Sequence, residues 1–465
     1  MFAPHVYLQR RQALMQRLAS AGSGLVLLPG HDDSPMNYPD NAYPFRQDSS
    51  FLYYAGLAQP GLALLLDLQQ GEATLFADDA DLDHQVWTGP LPSAAERAAS
   101  AGIERHAPRD ALAGRLQAAR AAGRPVHLLP PYRGQTRLAL ARWLDVTDAA
   151  LDTAVSGPLV QAVVAQRALK APEEIAEMED ALALTREMHL LALRASRPGV
   201  VEQEVVGAME ALALARGRRM AYPSIFSSRG QILHNHDHGV RLQGGEIVVN
   251  DSGSESAEGY ASDITRVIPV GGRFEGLRAE AYELVLSAQE QAIAAIRPGV
   301  PYREVHLLAC RVLAQGMKEL GFLRGDVDEA VAAGAHALFM PHGVGHMIGL
   351  DVHDMESLGE DHVGYGEGFA RDPRFGFKSL RLARPLRAGW VVTVEPGLYI
   401  NPLLTQRWQA EHRHEAFIDY AMFERHAGLG GIRIEDDVLV TAEGARVLGP
   451  AIPKARAQVE ALASA

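Results

Sequence analysis

RPGV stands at Arg197–Val200 and again at Arg297–Val300, and each copy is followed at the same offset by a Glu-Val pair. Each copy also follows a stretch with the apolar spacing of a long amphipathic helix. Pro-Gly after a helix is ordinary punctuation, which could explain either copy alone. Because the flanking stretches match as well, the pattern favours an internal duplication. Two duplicated halves would lie about a pseudo-twofold axis, with strands in a curved central sheet, helices outside it and a cleft between the halves.

A chain of 465 residues is longer than a single hydrophobic core usually supports, so we expect two domains. Apolar stretches such as Gly24–Leu28 and Leu62–Leu66 alternate with helical stretches such as Ala94–Ala101 and Thr136–Leu144, which is an α/β pattern. The string KAPEE at 170–174 then puts a proline and two acidic residues where a long helix would begin. These signals predict a first domain over 1–171 and a second over 172–465.

Charge and cysteine content limit the classes of partner. The formal net charge is −13 and no basic run occurs, which argues against a nucleic-acid groove or an anionic membrane surface as partner. Cys310 is the only cysteine, so no internal disulfide can form and a reducing compartment fits best. No signal-like start and no long apolar run occurs. The chain is therefore predicted to be cytoplasmic.

Two aspartates adjoin apolar, β-branched runs. IVVND at Ile247–Asp251 ends in a carboxylate, and DITRV at Asp263–Val267 begins a second predicted strand after a connection that contains Gly, Ser and Glu. A hairpin would bring Asp251 and Asp263 face to face. The alternative is that Asp251 starts a turn and Asp263 caps a strand. These residues alone leave both interpretations open.

Further candidates follow near the C-terminus. His342 and His346 lie in the Gly-rich string PHGVGH, and His353 follows closely; several histidines among small residues indicate a functional role. Glu395 and Glu435 each end a strand-like apolar run. A buried carboxylate without a cation costs several kcal/mol or becomes neutral, so unpaired burial is a poor explanation. The alternative is that Arg433 pairs with one of them structurally.

Together these residues predict a binuclear metal site. An oxygen-rich ligand set with one imidazole suits Mn²⁺ better than zinc, which usually takes more nitrogen or sulfur. Four carboxylates around one ion would leave excess negative charge in a low-dielectric cleft, whereas two divalent ions balance them. The predicted ligands are Asp251, Asp263, His346, Glu395 and Glu435.

These strings resemble the metal motifs of the pita-bread metallopeptidases, specifically aminopeptidase P and prolidase, in order and spread. They are DSG at 251–253, SDITR at 262–266, HGVGH at 342–346, TVEPG at 393–397 and RIED at 433–436. FRQDSSF at 45–51 is similar to a string in that family's non-catalytic first domain. The resemblance implies an N-terminal creatinase-like α/β domain followed by a C-terminal α+β pita-bread domain with pseudo-twofold duplicated halves.

Two features depart from the family pattern. The separation of Asp251 and Asp263 is one residue longer than usual, which requires a longer turn or a bulge if both side chains keep their facing. Segments 356–388 and 401–430 are long, as in prolidase, and we expect them to shape or cover the substrate entrance.

The resemblance also implies a mechanism. Asp263 and Glu435 would bridge two divalent ions, Asp251 would chelate one, and His346 with Glu395 would complete the other. A metal-bridged hydroxide would attack the substrate, with Glu395 taking its proton. His234, His342 and His353 would contact the substrate, stabilise the tetrahedral intermediate or pass a proton to the departing proline nitrogen, and Arg433 joins this catalytic set. His236 and His238 fit better as exposed loop histidines.

Family members cut the Xaa-Pro bond at the N-terminus of a peptide, so the expected substrates are peptides with proline at the second position. Aminopeptidase P activity is favoured, and prolidase (dipeptidase) activity is the alternative. Arg381 is similar to an arginine that in prolidase holds the dipeptide's carboxylate, but it could equally form a surface or interdomain ion pair. By resemblance, a homodimer or homotetramer is expected.

Other members of the fold are less consistent with the chain. A non-catalytic pita-bread binding protein would lack metal ligands, and here all five are present. Methionine aminopeptidases share the ligands but generally lack a first domain of this size. Creatinase shares the two-domain shape but lacks the ligands.

Overall fold

The structure, a computed structural model, describes residues 1–19, 22–366 and 368–464. The first of two compact units comprises Met1–Arg167 and the short segment Ser357–His362, and the second comprises Ala168–Glu356 and Val363–Ala465. This division lies a few residues before the predicted boundary at 171/172. The return of residues 357–362 to the first unit has no counterpart in the sequence-based division.

The first unit is a mixed sheet with helices. Its elements are α1 Pro4–Arg17, β1 Leu25–Pro29, α2 Ser49–Ala55, β2 Ala63–Asp67, β3 Glu72–Phe76, α3 Leu82–Thr88, α4 Ala94–Ser100, β4 Arg105–Ala107, α5 Ala111–Ala121, β5 Val126–His127, α6 Gly134–Leu144, α7 Asp148–Thr153 and α8 Gly157–Arg167. The strand order is β4-β3-β2-β1-β5, with β4 and β5 parallel to their neighbours and the central pairs antiparallel. Leu25, Leu27 and Leu65 pack with Leu112 and Leu140 in one core. The α/β prediction for this region is confirmed.

The second unit contains two three-stranded sheets, ordered β6-β7-β8 and β13-β12-β9, and the pair β10-β11. Its elements are α9 Pro172–Ala195, α10 Glu202–Ala215, β6 Ile225–Ser227, β7 Ile247–Asp251, β8 Thr265–Pro269, α11 Leu277–Ala295, α12 Tyr302–Glu319, α13 Val327–Ala333, β9 Val391–Val394, β10 Gly397–Tyr399, α14 Pro402–Ala410, α15 Tyr420–Arg425, β11 Gly431–Arg433, β12 Asp436–Val440, β13 Ala445–Val447 and α16 Arg456–Ala463. Short 3₁₀ helices lie at Ala335–Leu338, Phe377–Ser379 and Ala427–Leu429. A further 3₁₀ helix at Glu356–Leu358 and a π-helical turn at Asp361–Tyr365 overlap the segment Ser357–His362, which belongs to the first unit.

The start of α9 follows the sequence signals. Pro172 occupies the first turn, where its missing N–H costs nothing, and Glu173 and Glu174 follow it. The Glu174 carboxylate accepts a hydrogen bond from the backbone N–H of Ala171 at 2.9 Å. The helix then buries the face that carries Met178, Leu182 and Met188 among other residues. The predicted helix start is therefore confirmed.

The two RPGV copies make the same connections. The Gly199 N–H donates to the Leu242 carbonyl and the Gly299 N–H to the Leu386 carbonyl, each at 2.8 Å. Both glycines have left-handed backbones, with φ of +92° and +87°, which favour glycine. Leu242 and Leu386 then precede β7 and β9 at the same offset. The predicted duplication of the second domain is confirmed.

The segment 401–430 packs as part of the second unit. It forms α14 and α15, and its Phe423 ring contacts Phe322 with ring centroids 5.1 Å apart. Ile418 forms an antiparallel bridge with Leu323. Among the described residues, no helix is both long and apolar enough to cross a membrane.

Candidate functional site

The β7–β8 hairpin positions the two aspartates. Asp251 pairs with Thr265, so β8 begins two residues after Asp263, and the prediction that Asp263 itself begins the strand is wrong. The same register continues beyond β7, because Ser252 N–H donates to the Ile264 carbonyl and Ser262 N–H to the Ser254 carbonyl, each at 3.1 Å. The ladder therefore has no bulge in this stretch, and the additional residue lies in the closing turn.

This register puts Asp263 opposite Gly253, diagonally across from Asp251 and on the same face of the hairpin. Gly253 is required for this approach, because a Cβ there would lie 1.8 Å from the carbonyl oxygen of Ser262. The hairpin therefore brings Asp251 and Asp263 together, as predicted.

Tyr222 bridges the two aspartates. Its hydroxyl oxygen lies 2.6 Å from Asp251 Oδ1 and 2.5 Å from Asp263 Oδ1. One hydroxyl proton cannot serve both acceptors, so the second carboxylate oxygen needs a proton or a cation. Burial, reinforced by the two carboxylates, raises the pKa of Tyr222 well above its usual value. Tyr222 was not among the site residues predicted from the sequence.

His346 presents one ring nitrogen to the carboxylates. Its Nδ1 lies 3.0 Å from the carbonyl oxygen of Met347, and its Nε2 lies 3.5 Å from Asp263 Oδ2 and 3.9 Å from Glu395 Oε1. Burial alone would lower the pKa of His346, but the hydrogen bond and charge of Asp263 raise it to about 9. A backbone carbonyl that fixes the tautomer is the usual support of a histidine metal ligand.

Glu395 and Glu435 end up close to the aspartates from the other half. Glu395 directly follows β9, and Glu435 lies between β11 and β12. Burial raises the pKa of Glu395 to about 7, and burial with the charges of Asp263 and Glu395 raises that of Glu435 well above its usual value. One ligand atom each from Asp263, His346 and Glu435 lies within 4.8 Å of the others. Such carboxylates need a proton or a cation.

Arg433 pairs with Asp251, and not with Glu395 or Glu435 as the structural alternative supposed. It also donates to the Tyr399 hydroxyl at 2.9 Å and to Thr265 Oγ1 at 3.1 Å. Burial raises the pKa of Asp251 although this guanidinium opposes the shift. Arg433 therefore orders the edge of the carboxylate cluster and offsets part of its charge.

Two further histidines have fixed orientations. His342 Nδ1 lies 2.7 Å from the Gly343 carbonyl oxygen and its Nε2 lies 2.9 Å from the Tyr399 hydroxyl. Burial lowers the pKa of His342 to about 3, so the ring is neutral. His353 stacks on His346 with ring centroids 3.8 Å apart. Tyr399, like Tyr222, was not anticipated from the sequence.

Glu356 connects His353 to Arg381. The Nδ1 atom of His353 lies 2.8 Å from Glu356 Oε1, and Arg381 Nη1 lies 3.1 Å from Glu356 Oε2. Arg381 thus already has an ionic partner, although 39% of its side chain is exposed. Both interpretations of Arg381, ion pair and carboxylate anchor, have a structural basis.

All the predicted site residues line one cavity of about 370 Å³ in the second unit. They are His234, Asp251, Asp263, His342, His346, His353, Arg381, Glu395, Arg433 and Glu435. His236 is an exposed loop residue, as predicted, and it also lines the cavity, whereas His238 is half-buried and is not among the lining residues. The segment 356–388 contributes Ser379 and Arg381. No described residue of 401–430 lines the cavity, so the expectation that this segment shapes the entrance is not met there.

The donor set fits divalent cations. Four carboxylates and one imidazole converge, and Arg433 supplies one fixed positive charge. The raised pKa values of Glu395 and Glu435 show that their negative charge is unfavourable without compensation, and a bound cation compensates it in place of a proton. Oxygen-rich sets of this kind suit hard or borderline ions.

Comparison with known proteins agrees with this site. The family model for metallopeptidase family M24 matches residues 176–442, and the model for the aminopeptidase P N-terminal domain matches residues 7–127. A human Xaa-Pro dipeptidase is 30% identical, over 97% of this chain and 92% of its own. A probable Xaa-Pro aminopeptidase of Aspergillus fumigatus is 32% identical, over 97% and 94%.

A solved structure of Escherichia coli aminopeptidase P in complex with substrate superposes with a TM-score of 0.81 at 30% identity, covering 100% of this chain and 98% of that one. Sequence motifs, duplicated fold and full-length similarity coincide, and the chain therefore belongs to metallopeptidase family M24, within its aminopeptidase P and prolidase group.

Proposed function

We propose that this metallopeptidase removes the N-terminal residue from peptides with proline at the second position, as an Xaa-Pro aminopeptidase of the aminopeptidase P type. The observation that carries the proposal is that the five candidate ligands and the substrate-facing histidines line a single cavity. The full-length relatives, which include both an aminopeptidase and a dipeptidase, support the Xaa-Pro specificity.

Asp251, Asp263, His346, Glu395 and Glu435 would hold two divalent ions, for which Mn²⁺ is the proposed identity. When bound, such ions would act as Lewis acids and would lower the pKa of a bound water molecule toward neutrality. The protein's own part is to hold these donors in one largely buried cluster and to balance their charge. Arg433 contributes to that balance by its pairing with Asp251.

The remaining residues have roles in proton transfer and substrate binding. Glu395 takes the proton of the attacking water, because its carboxylate lines the cavity beside His342 and His346. Proline nitrogen has no N–H and must gain a proton to depart. His353, oriented by Glu356, is the proposed donor, and His234 and His342 contact the substrate carbonyl and backbone.

The aminopeptidase assignment, rather than a strict dipeptidase, rests on Arg381. Its guanidinium is engaged by Glu356, so it is not dedicated to a substrate carboxylate. The prolidase alternative retains support because Arg381 lines the same cavity. A cytoplasmic location and a homo-oligomeric assembly stay predictions.

Arg381→Ala separates the two activities. We expect kcat/KM for Ala-Pro-Ala to change by less than about threefold. If Arg381 instead anchors the carboxylate of a dipeptide, its removal should cost about 1.5–3 kcal/mol, which lowers kcat/KM for Ala-Pro alone by roughly 10–150-fold. The assay is release of alanine with Mn²⁺ present, and Arg374→Ala, which removes an exposed arginine paired with Asp372, is the control.

The two results that would change the assignment are distinct. Efficient cleavage of Ala-Pro with none of Ala-Pro-Ala would make the chain a prolidase. Failure to cleave either peptide with any divalent metal would contradict the enzymatic proposal itself.

A further inference from the structure

A second group of metal-binding side chains lies in the interior of the second unit. His306 and Cys310 stand one helical turn apart on α12, and His336 belongs to the 3₁₀ helix Ala335–Leu338. One ligand atom from each lies within 4.8 Å of the others. All three residues are fully buried, and none of them lines the cavity described above.

The spacing already fits a shared cation. Cys310 Sγ lies 3.6 Å from His306 Nε2. With metal–sulfur and metal–nitrogen bonds of about 2.3 Å and about 2.0 Å, a sulfur and a nitrogen in a three- or four-coordinate shell lie about 3.5–3.8 Å apart. These two atoms are therefore separated as two ligands of one ion would be.

His336 supplies an independent indication. Both of its ring nitrogens are enclosed and neither has a hydrogen-bond partner of acceptable geometry, although the carbonyl of Val331 lies near the ring. An unpartnered buried polar group costs about 1–3 kcal/mol. Burial lowers the pKa of His306 and of His336 to about 3, so both rings are neutral and carry a free lone pair.

The surroundings favour a soft ion in a dry pocket. The Phe377 ring meets His336 edge-on with centroids 5.0 Å apart, and meets His306 at 6.5 Å. Burial raises the pKa of the Cys310 thiol, which keeps it protonated until a cation replaces the proton. The three ligands include no carboxylate, unlike the oxygen-rich set around Asp263.

We propose that His306, Cys310 and His336 form a separate site for one thiophilic cation, with Cu⁺ preferred over Zn²⁺. As the metal–sulfur bond forms, the S–H bond breaks and its proton passes to solvent. Cu⁺ with one thiolate and two neutral imidazoles leaves the pocket uncharged, whereas Zn²⁺ leaves a net positive charge that the ligands do not cancel. The two sites would therefore prefer different ions, because this one offers sulfur and imidazole ligands and the other offers mainly carboxylates.

The full-length, Mn²⁺-loaded chain tests this site directly. It is incubated anaerobically with Cu⁺, or produced in copper-supplemented cells, desalted, and examined for metal content and by X-ray absorption at the copper edge. We expect retention of about one Cu⁺ per chain, with one sulfur at about 2.2–2.3 Å and two nitrogen neighbours. The wild-type spectrum needs no variant and so does not depend on how a substitution folds.

Variants then locate the ion. Cys310→Ser and His336→Gln should lose the copper, while Asp263→Asn in the other cavity and His414→Gln, a histidine outside both clusters, should keep it. Circular dichroism and retained Mn²⁺ show that the Cys310 variant is folded.

Three results would overturn the proposal: no copper retained by either route, copper with only nitrogen and oxygen neighbours, or copper lost in Asp263→Asn and kept in Cys310→Ser. Retention of Zn²⁺ in place of Cu⁺, with one sulfur neighbour, would overturn the preference for Cu⁺. Peptidase activity is not needed for any of these readouts, so they do not depend on the proposed function.

Discussion

Glu395 faces the cavity beside two histidines, and its carboxyl has a raised pKa in the metal-free chain. Burial raises the pKa of its carboxyl to about 7, and its oxygens lie 3.9 Å from His346 Nε2 and from His342 Nδ1. About 19% of the side chain is exposed, which leaves access from the cavity. The residue is thus held by the interior of the domain and faces the space in which substrate would lie.

Replacing this carboxylate should remove the proton acceptor and leave most of the site. For Glu395→Gln we expect kcat on Ala-Pro-Ala to fall by about 10²–10⁴-fold, because general base catalysis contributes about that much, with a smaller change in KM. Steady-state kinetics gives both values, and metal analysis of the same sample reports whether an ion was lost too.

Glu411→Gln is the matched control, since Glu411 is an exposed glutamate that pairs with Arg407. Its kinetics should equal those of the wild type. A Glu395→Gln enzyme within about twofold of wild-type kcat would remove Glu395 from the proton-transfer step.

Residue identity could be predicted where a motif marks it and not elsewhere. Asp251, Asp263 and His346 stand in short strings whose order is informative, and the structure brings them into one cavity. No such string surrounds Tyr222 or Tyr399. In the folded chain the Tyr222 hydroxyl contacts the aspartate carboxylates, and the Tyr399 hydroxyl contacts His342 and Arg433. Their contribution depends on contacts between residues distant in sequence.

At the scale of elements, the hairpin β7–β8 determines the position of both aspartates. Its register continues unchanged from Ile247 opposite Pro269 to the Ser254–Ser262 pair. The apolar run predicted β7 correctly. The start of β8 was predicted too early, because Asp263 and Ile264 extend the ladder without full strand pairing.

Gly253→Ala should disturb this hairpin. The added Cβ would meet the Ser262 carbonyl oxygen at 1.8 Å, and backbone cannot move aside as a flexible side chain could. We expect a loss of about 2–4 kcal/mol in the free energy of unfolding of the second unit, together with weaker Mn²⁺ binding. Denaturant unfolding followed by tryptophan fluorescence, with and without Mn²⁺, measures both.

Gly207→Ala provides the comparison, because Gly207 lies inside α10 and its added Cβ would meet nothing within 4 Å. That variant should be neutral or more stable by up to about 1 kcal/mol. Equal stability of the two variants would mean that the hairpin relaxes easily and that its register does not depend on Gly253.

Elements with local signals were predictable, and elements defined by long-range packing were not. Pro172 with its acidic neighbours marked the start of α9. By contrast, the segment that forms α14 and α15 was expected near the substrate entrance. Its Phe423 and Ile418 instead contact Phe322 and Leu323, about a hundred residues earlier in the sequence. No local pattern in 401–430 identifies those partners.

At the scale of the whole molecule, the duplication divides the proposed metal ligands between two similar halves. Asp251 and Asp263 come from β7 and the hairpin of the first half, whereas Glu395 follows β9 in the second. Gly199 and Gly299 make the same connection in each half. The carboxylates meet only when both halves are folded, so cations that bind them should stabilise the second unit as a whole.

Removal of metal should therefore weaken the fold in a pH-dependent way. The pKa of Glu395 is raised from 4.5 to about 7 in the metal-free folded chain, and that of Glu435 is raised well above its usual value. A carboxyl with a raised folded-state pKa binds its proton more tightly when folded, so stability falls as pH rises from the unfolded value through the folded one. Bound cations replace these protons and cancel that loss.

The difference in Tm between the Mn²⁺-loaded and the chelator-treated chain should therefore widen from about pH 5 to about pH 8, by at least about 5 °C. Scanning calorimetry at matched ionic strength provides the measurement. A difference that stays constant or shrinks over this range would mean that the buried carboxyls do not exchange protons for metal.

Five side chains from both halves converge, and the proposal is that they do so to hold a pair of divalent cations. Crystals of the chain grown with Mn²⁺, measured at the manganese absorption edge, test it most directly. We expect two anomalous peaks in the cavity, each in contact with carboxylate oxygens and one with His346 Nε2. An empty cavity, or a single peak outside the group formed by Asp251, Asp263, His346, Glu395 and Glu435, would contradict it.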